Sequence, residues 1–417
     1  MSHLAVLAFA TLLALAGRTL PLRRWTLRFL AGALMLHLLL TAYDIVGIRW
    51  NRWTLLVPLL ALAALGFRRK TETERLPSDL GLGDGAALFA LAVFALFAPT
   101  LWTMTPDFVY HWGIKGEHFF LAGHVDYEWL AKPWNWVIHP DYPNLLPELF
   151  SGSAILAGRF SAPAQMLWST LFLALLLVSA RRALAGTPRT MVQMGIAALA
   201  FTLAGFGLGH RGAGGADAMP ALAFVAALPA LLRPPDREGD VEIGIAAAFA
   251  AASKMEGMPL AAFLAGVQLL RRKDPKAALW LGLPTVLVSI PWAIRTFGFF
   301  GPGLYQKYNT GAVEPGRAAV IFRSLGQATF GENWHGLPLV LLAVPLLLFL
   351  RRTRPVAAVA ALQLLFYLWI FFSADVGTEF QVVSAFPRLA MQVMPAVIVA
   401  GVAGLAALGE RHHPEPS

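Results

Sequence analysis

With 417 residues, 57% of them hydrophobic and only 14% charged, and a mean hydropathy of +0.62, the chain cannot be an ordinary soluble domain. Its net charge of +9 is carried by short basic clusters between apolar runs rather than on one face, which excludes a nucleic-acid-binding surface and reads as membrane topology. The absence of cysteine removes disulfide, thiolate and zinc–cysteine chemistry, and says nothing of the compartment.

In chain order, apolar runs lie near 3–17, 27–43, 53–67, 84–103, 162–180, 190–208, 217–232, 241–253, 257–270, 277–294, 336–350, 355–372 and 388–408. They predict an all-α, polytopic helical membrane protein with about 13 transmembrane helices, within a range of 11–14. The first run is apolar from Leu4, with no basic segment before it and no small-residue cleavage site, and is expected to stay as a helix. No internal repeat or low-complexity tract divides the chain, so 1–417 reads as a single transmembrane domain. Residues 144–158 are apolar but too few for a full pass, and predict a partial or re-entrant helix.

The longest polar interval, 105–148, is predicted to be an extracytoplasmic catalytic loop. Placing it outside puts 21 of the 33 lysines and arginines in the inward segments, although the outward ones are about twice as long. A second extracytoplasmic loop is expected at 296–335. Thr105 as N-cap and Pro106 at the first helical position predict a short interfacial helix, on which Asp107, His111, Lys115 and His118 share one stripe. Further along come His139, Asp141 and Tyr142. Trp112, Trp129, Trp134 and Trp136 suit either stacking on sugars or anchoring at the interface.

The other outward turns add His210, Arg211 and Asp217, then Lys254 and Glu256, Arg295, Arg323, His335, Asp375, Glu379 and Arg388. Ionisable groups beside membrane spans are costly, so their gathering at one face predicts a functional cavity. A carboxylate base among cations suits transfer of a group away from a phosphate leaving group. It suits proton-coupled transport equally well. Lys254 is notable because it lies in a turn between two short spans, where a charge serves no topology.

Asp107, His111-Trp112 and Lys115 followed by HPDYPNLLPE (139–148) resemble the first outward loop of the GT-C superfamily of membrane glycosyltransferases, in its bacterial branch. GGAD (214–217), SKMEGMP (253–259), PWAIRTFGFFGPGLY (291–305) and FPRLAMQVMP (386–395) are similar to later marks of that branch, in the same order. The resemblance spans most of 84–395 and leaves the first three spans without a counterpart.

It implies a transferase of the bacterial inner membrane that works on the periplasmic or extracytoplasmic face. The donor would be a polyprenyl-phosphate monosaccharide and the acceptor a membrane-associated or envelope glycan. Asp107 would be the general base. Lys254, Arg295 and Arg388 would hold the lipid phosphate, and His111, Lys115, His139, Asp141, Tyr142, Asp217 and Glu256 would complete the substrate site. No cofactor is implied. Phe108 stands where relatives with a paired acid bind a divalent metal, and His139 and Asp141 around Pro140 have no standard metal spacing. A transporter or lipid-linked-sugar flippase using the same cavity is the alternative.

Overall fold

The computed structural model describes residues 1–69, 80–209, 214–300, 316–331, 337–373 and 378–412, and every regular element among them is helical. His210, Arg211, His335 and Asp375 lie outside the described residues, as do the middle and far end of the loop expected at 296–335. The described ends of that loop belong to the helices Ala277–Phe300 and Arg317–Phe330.

Among the described residues, six stretches are long and apolar enough to cross a membrane: Ser2–Thr19, Trp25–Val46, Leu82–Thr100, Ala162–Ala183, Ala277–Gly298 and Arg354–Ser373. Val382–Ala390 and Met394–Gly409, bent by 45°, make a seventh if they form one span. Several of these helices expose apolar side chains that a soluble fold would cover, among them Leu279, Leu283, Leu287, Ile290 and Ile294. The architecture is compatible with a multi-pass membrane protein. Shorter elements account for much of the difference from about 13 apolar runs. The helices Ala218–Leu231 and Leu337–Phe349 have 14 and 13 residues, so each extends only about 20 Å against ~30 Å of hydrocarbon; Leu145–Ala157, also 13 residues, has the partial length expected of 144–158.

The helix Arg237–Ser253 organises the interior, packing against Trp25–Val46, Ala218–Leu231, Gly257–Arg272 and Ala277–Phe300. Its six alanines on either side of Phe249, from Ala246 to Ala252, are all buried, and short side chains let its neighbours approach closely. At its first end lie ion pairs between basic and acidic groups, Arg24 to Glu242 at 2.7 Å and Arg272 to Asp240 at 2.9 Å. At its other end the chain reverses through Lys254–Glu256 into the next helix. Gly257 makes that reversal feasible, since a Cβ there would stand 1.9 Å from the Ala250 carbonyl oxygen. From Asp240 and Glu242 to Lys254 the helical rise separates the two polar layers by about 20 Å.

Candidate active site

The stretch that opens the first loop is helical from Pro106 onward, as its proline predicts, but the cap differs from expectation. The Thr105 carbonyl accepts from the Phe108 and Val109 amides at 3.0 Å, while its hydroxyl donates backward to Leu101 and Trp102 at 2.7 and 3.2 Å. Residues Phe108–Trp112 then form a π-turn before the α-helix Gly113–Ala122. The wider turn rotates everything after it relative to a straight α-helix. The predicted stripe is therefore split. Asp107 and His111 face a cavity, whereas Lys115 turns into the interior and His118 pairs with Asp126 at 3.0 Å and stacks on Trp129.

The cavity has a volume of about 420 Å³, within the range of small-molecule pockets. Its polar wall is Asp107, His111, His139, Asp141, Tyr142, Lys254, Glu256 and Arg388, drawn from four separate parts of the sequence. Its apolar wall comes mostly from the helices Arg354–Ser373 and Thr378–Ala390, through Phe366, Trp369, Phe371 and Leu389. The described residues after Ala390 form a turn rather than continuing the helix. Pro395, second in the helix Met394–His412, restricts the residue before it and suits a fresh helical start. Arg388 lies just ahead of that bend and Gln392 within it.

A charged network ties these segments together. Arg388 donates to Asp217 Oδ2 from Nε at 3.1 Å and from Nη2 at 2.7 Å, and Nη2 also binds Asp107. Lys254 Nζ donates to Asp217 Oδ1 at 2.7 Å and stands 3.3 Å from Glu256. Gln392 donates to Asp217 Oδ1 at 3.1 Å, Tyr367 to Gln392 at 2.8 Å, and Gln363 to the Tyr367 hydroxyl at 2.9 Å. Asp217 is placed by the GGAD turn, where Gly214 adopts φ +78° and its amide donates to the Ser169 hydroxyl at 2.6 Å. A Cβ at Gly214 would be 2.8 Å from the Phe108 ring, so this turn packs directly on the π-turn that carries Asp107.

The loop wall has its own charge pattern. Burial pushes the Lys115 ammonium down to about 7, partly offset by Asp141. Its Nζ donates to the His139 carbonyl at 3.1 Å and lies 4.5 Å from the centre of the Trp112 ring. His139, in a left-handed conformation at φ 49°, stacks on Tyr142 and stands 4.7 Å from the His111 ring. Burial and then the nearby His111, Lys115, Lys254 and Arg388 push the His139 imidazole down to about 3. Burial lowers His111 as well, and raises the Asp141 carboxyl. Two neutral imidazoles thus face Asp107 and Arg388 near neutral pH.

Of the expected site residues, eight line the cavity and Asp217 supports it from behind. Lys115 props the His139 turn instead of reaching the cavity. Arg295 is elsewhere: its guanidinium covers the Tyr127 ring at 4.8 Å, in a second buried polar group with Asp44 and Glu148, whose carboxylate pairs with His37 at 2.7 Å. Gln363, Tyr367 and Gln392 were not among the expected site residues, although Gln392 lies in the FPRLAMQVMP stretch. The four-residue spacings Gln363–Tyr367 and Arg388–Gln392 were the available signal. Among the described residues no group of three or more His, Cys, Asp or Glu side chains is arranged to hold a metal ion. Compared with protein-family models, curated proteins and solved structures, the chain matches none.

Proposed function

We propose that the chain is a membrane glycosyltransferase that moves a monosaccharide from a polyprenyl-phosphate donor to a hydroxyl of a membrane-associated or envelope glycan. The observation that carries this reading is the meeting of Asp107 with Arg388 and Lys254 at one cavity, across 281 residues of chain in the first case. A carboxylate and two cations side by side are what a base and a phosphate-binding site require. The order of motifs resembling the GT-C superfamily agrees, with about 13 helices crossing the bacterial inner membrane and the cavity opening to the periplasmic or extracytoplasmic face. The basic layer about 20 Å away at the start of Arg237–Ser253 fits the inner leaflet under the positive-inside rule.

In the reaction, Arg388 and Lys254 hold the donor phosphate, and the sugar lies against His111, His139, Asp141 and Tyr142. The acceptor hydroxyl gives its proton to Asp107 as its oxygen attacks the anomeric carbon opposite the phosphate, and the configuration inverts. Phe366, Trp369 and Phe371 offer apolar surface for the first isoprene units. Neutral His139 and His111 can accept or donate hydrogen bonds to sugar hydroxyls without repelling the cations that hold the phosphate.

One observation favours a second reading. The buried group of His37, Asp44, Glu148 and Arg295 lies along the helices away from the cavity, and such groups serve proton coupling in transporters. Reconstituted protein supplied with polyprenyl-phosphate monosaccharides separates the two. Release of free polyprenyl phosphate with a new glycosidic product is expected; vectorial movement of the intact lipid-linked sugar, without covalent transfer, would establish the transporter.

A further inference from the structure

Each cation of the cavity is shared between two carboxylates of different character. Asp217 is 8% exposed and fixed from behind by Gln392 and the Tyr367–Gln363 chain. Asp107 and Glu256 line the cavity; Asp107 shares Nη2 of Arg388 with Asp217, whose hold extends to Nε, and Glu256 stands beside Lys254. The Arg388 side chain is itself 31% exposed, so the fork is reachable from the cavity while its far edge stays on Asp217. An incoming anion therefore meets no free cation among these groups. It must replace a carboxylate, and the two replaceable ones are Asp107 and Glu256.

This has a chemical consequence for the base. A carboxylate hydrogen-bonded to a guanidinium is stabilised as the anion and is a poor proton acceptor. Resting on the transferase reading above, we propose that the Arg388–Asp107 pair is a donor-operated latch: the donor's phosphate displaces Asp107 from Arg388, and only then is Asp107 free to act as base. Arg388 keeps Asp217 throughout and so needs no large movement. The hydroxyl proton passes to Asp107 as the acceptor oxygen–carbon bond forms. The electron pair of the breaking carbon–oxygen bond goes to the phosphate oxygen held by Arg388 and Lys254. Loss of the proton from Asp107 to water then restores its competition for Arg388 and favours departure of the product phosphate.

The latch makes a prediction opposite in sign to that of a merely structural ion pair. Binding of polyprenyl monophosphate to the full-length protein in nanodiscs is compared for wild type and Asp107→Asn. Removing the competing charge is expected to tighten binding about three- to tenfold, the scale of a partly exposed ion pair. Equal or weaker binding by the variant overturns the latch. Transfer by wild type without tighter binding by the variant removes the latch alone. Tighter binding with no transfer by wild type from any polyprenyl-phosphate sugar keeps the latch as a property of an anion site and removes the transferase reading.

Discussion

Asp107→Asn is expected to lower sugar transfer by a factor of about 10²–10⁴, the contribution of a positioned general base, in a protein that remains folded and inserted. Asparagine keeps the volume and a hydrogen-bond acceptor for Arg388, so what is lost is basicity and one negative charge. Initial rates at saturating donor, beside thermal unfolding of the same preparations, separate chemistry from folding. Near-normal turnover would move the base elsewhere. The neighbour then indicated is His111, which lines the cavity one turn on and whose buried Nδ1 has no hydrogen-bond partner.

The largest effect on stability is expected at Asp217, the carboxylate on which Arg388, Lys254 and Gln392 converge. Taking one partner from a buried charged network strands the others, at a typical cost of 3–5 kcal/mol. Asp217→Ala should therefore lower the unfolding temperature of the purified protein markedly and weaken binding of polyprenyl phosphate, because both cations lose their fixed anchor. Asp217→Asn, which keeps the hydrogen-bond acceptor, should be milder. A change within about 0.5 kcal/mol for the alanine variant, the scale of ordinary surface substitutions, would mean that water already screens this network.

The legible part of the site was its charges. Asp107, Lys254, Glu256 and Arg388 all stand in the outward polar segments, Lys254 where a charge serves no topology, and the fold brings all four to one cavity. Lys115 was misplaced because a stripe drawn at 100° per residue assumes an unbroken α-helix, and the π-turn at Phe108–Trp112 breaks that assumption. Arg295 shares the outward position of the other cations, yet its placement over Tyr127 depends on how Ala277–Phe300 packs against the first loop. Local pattern carries no such information. Gln363, Tyr367 and Gln392 are neutral and sit in apolar runs, so their four-residue spacings are a weak signal, and the tertiary contact across 25 residues is what joins them as supports for Asp217. Similarly, apolar runs announce helices well but not their lengths. Ala218–Leu231 is as apolar as a spanning helix and stops short, at Leu232 ahead of Pro234, whereas Leu145–Ala157, closed at Gly158 in a left-handed cap, has the partial length that 144–158 predicts.

The cavity and the basic layer at the opposite end of Arg237–Ser253 are the two places where a lipid phosphate would find cations, and they lie on opposite sides of the fold. A structure of the protein with polyprenyl phosphate bound distinguishes them directly. The phosphate is expected within salt-bridge reach of Arg388 or Lys254, with Asp107 facing the same cavity and parted from Arg388. A phosphate seated instead against Arg271 and Arg272, with the Asp107–Arg388 pair intact, would contradict the active site and the mechanism together.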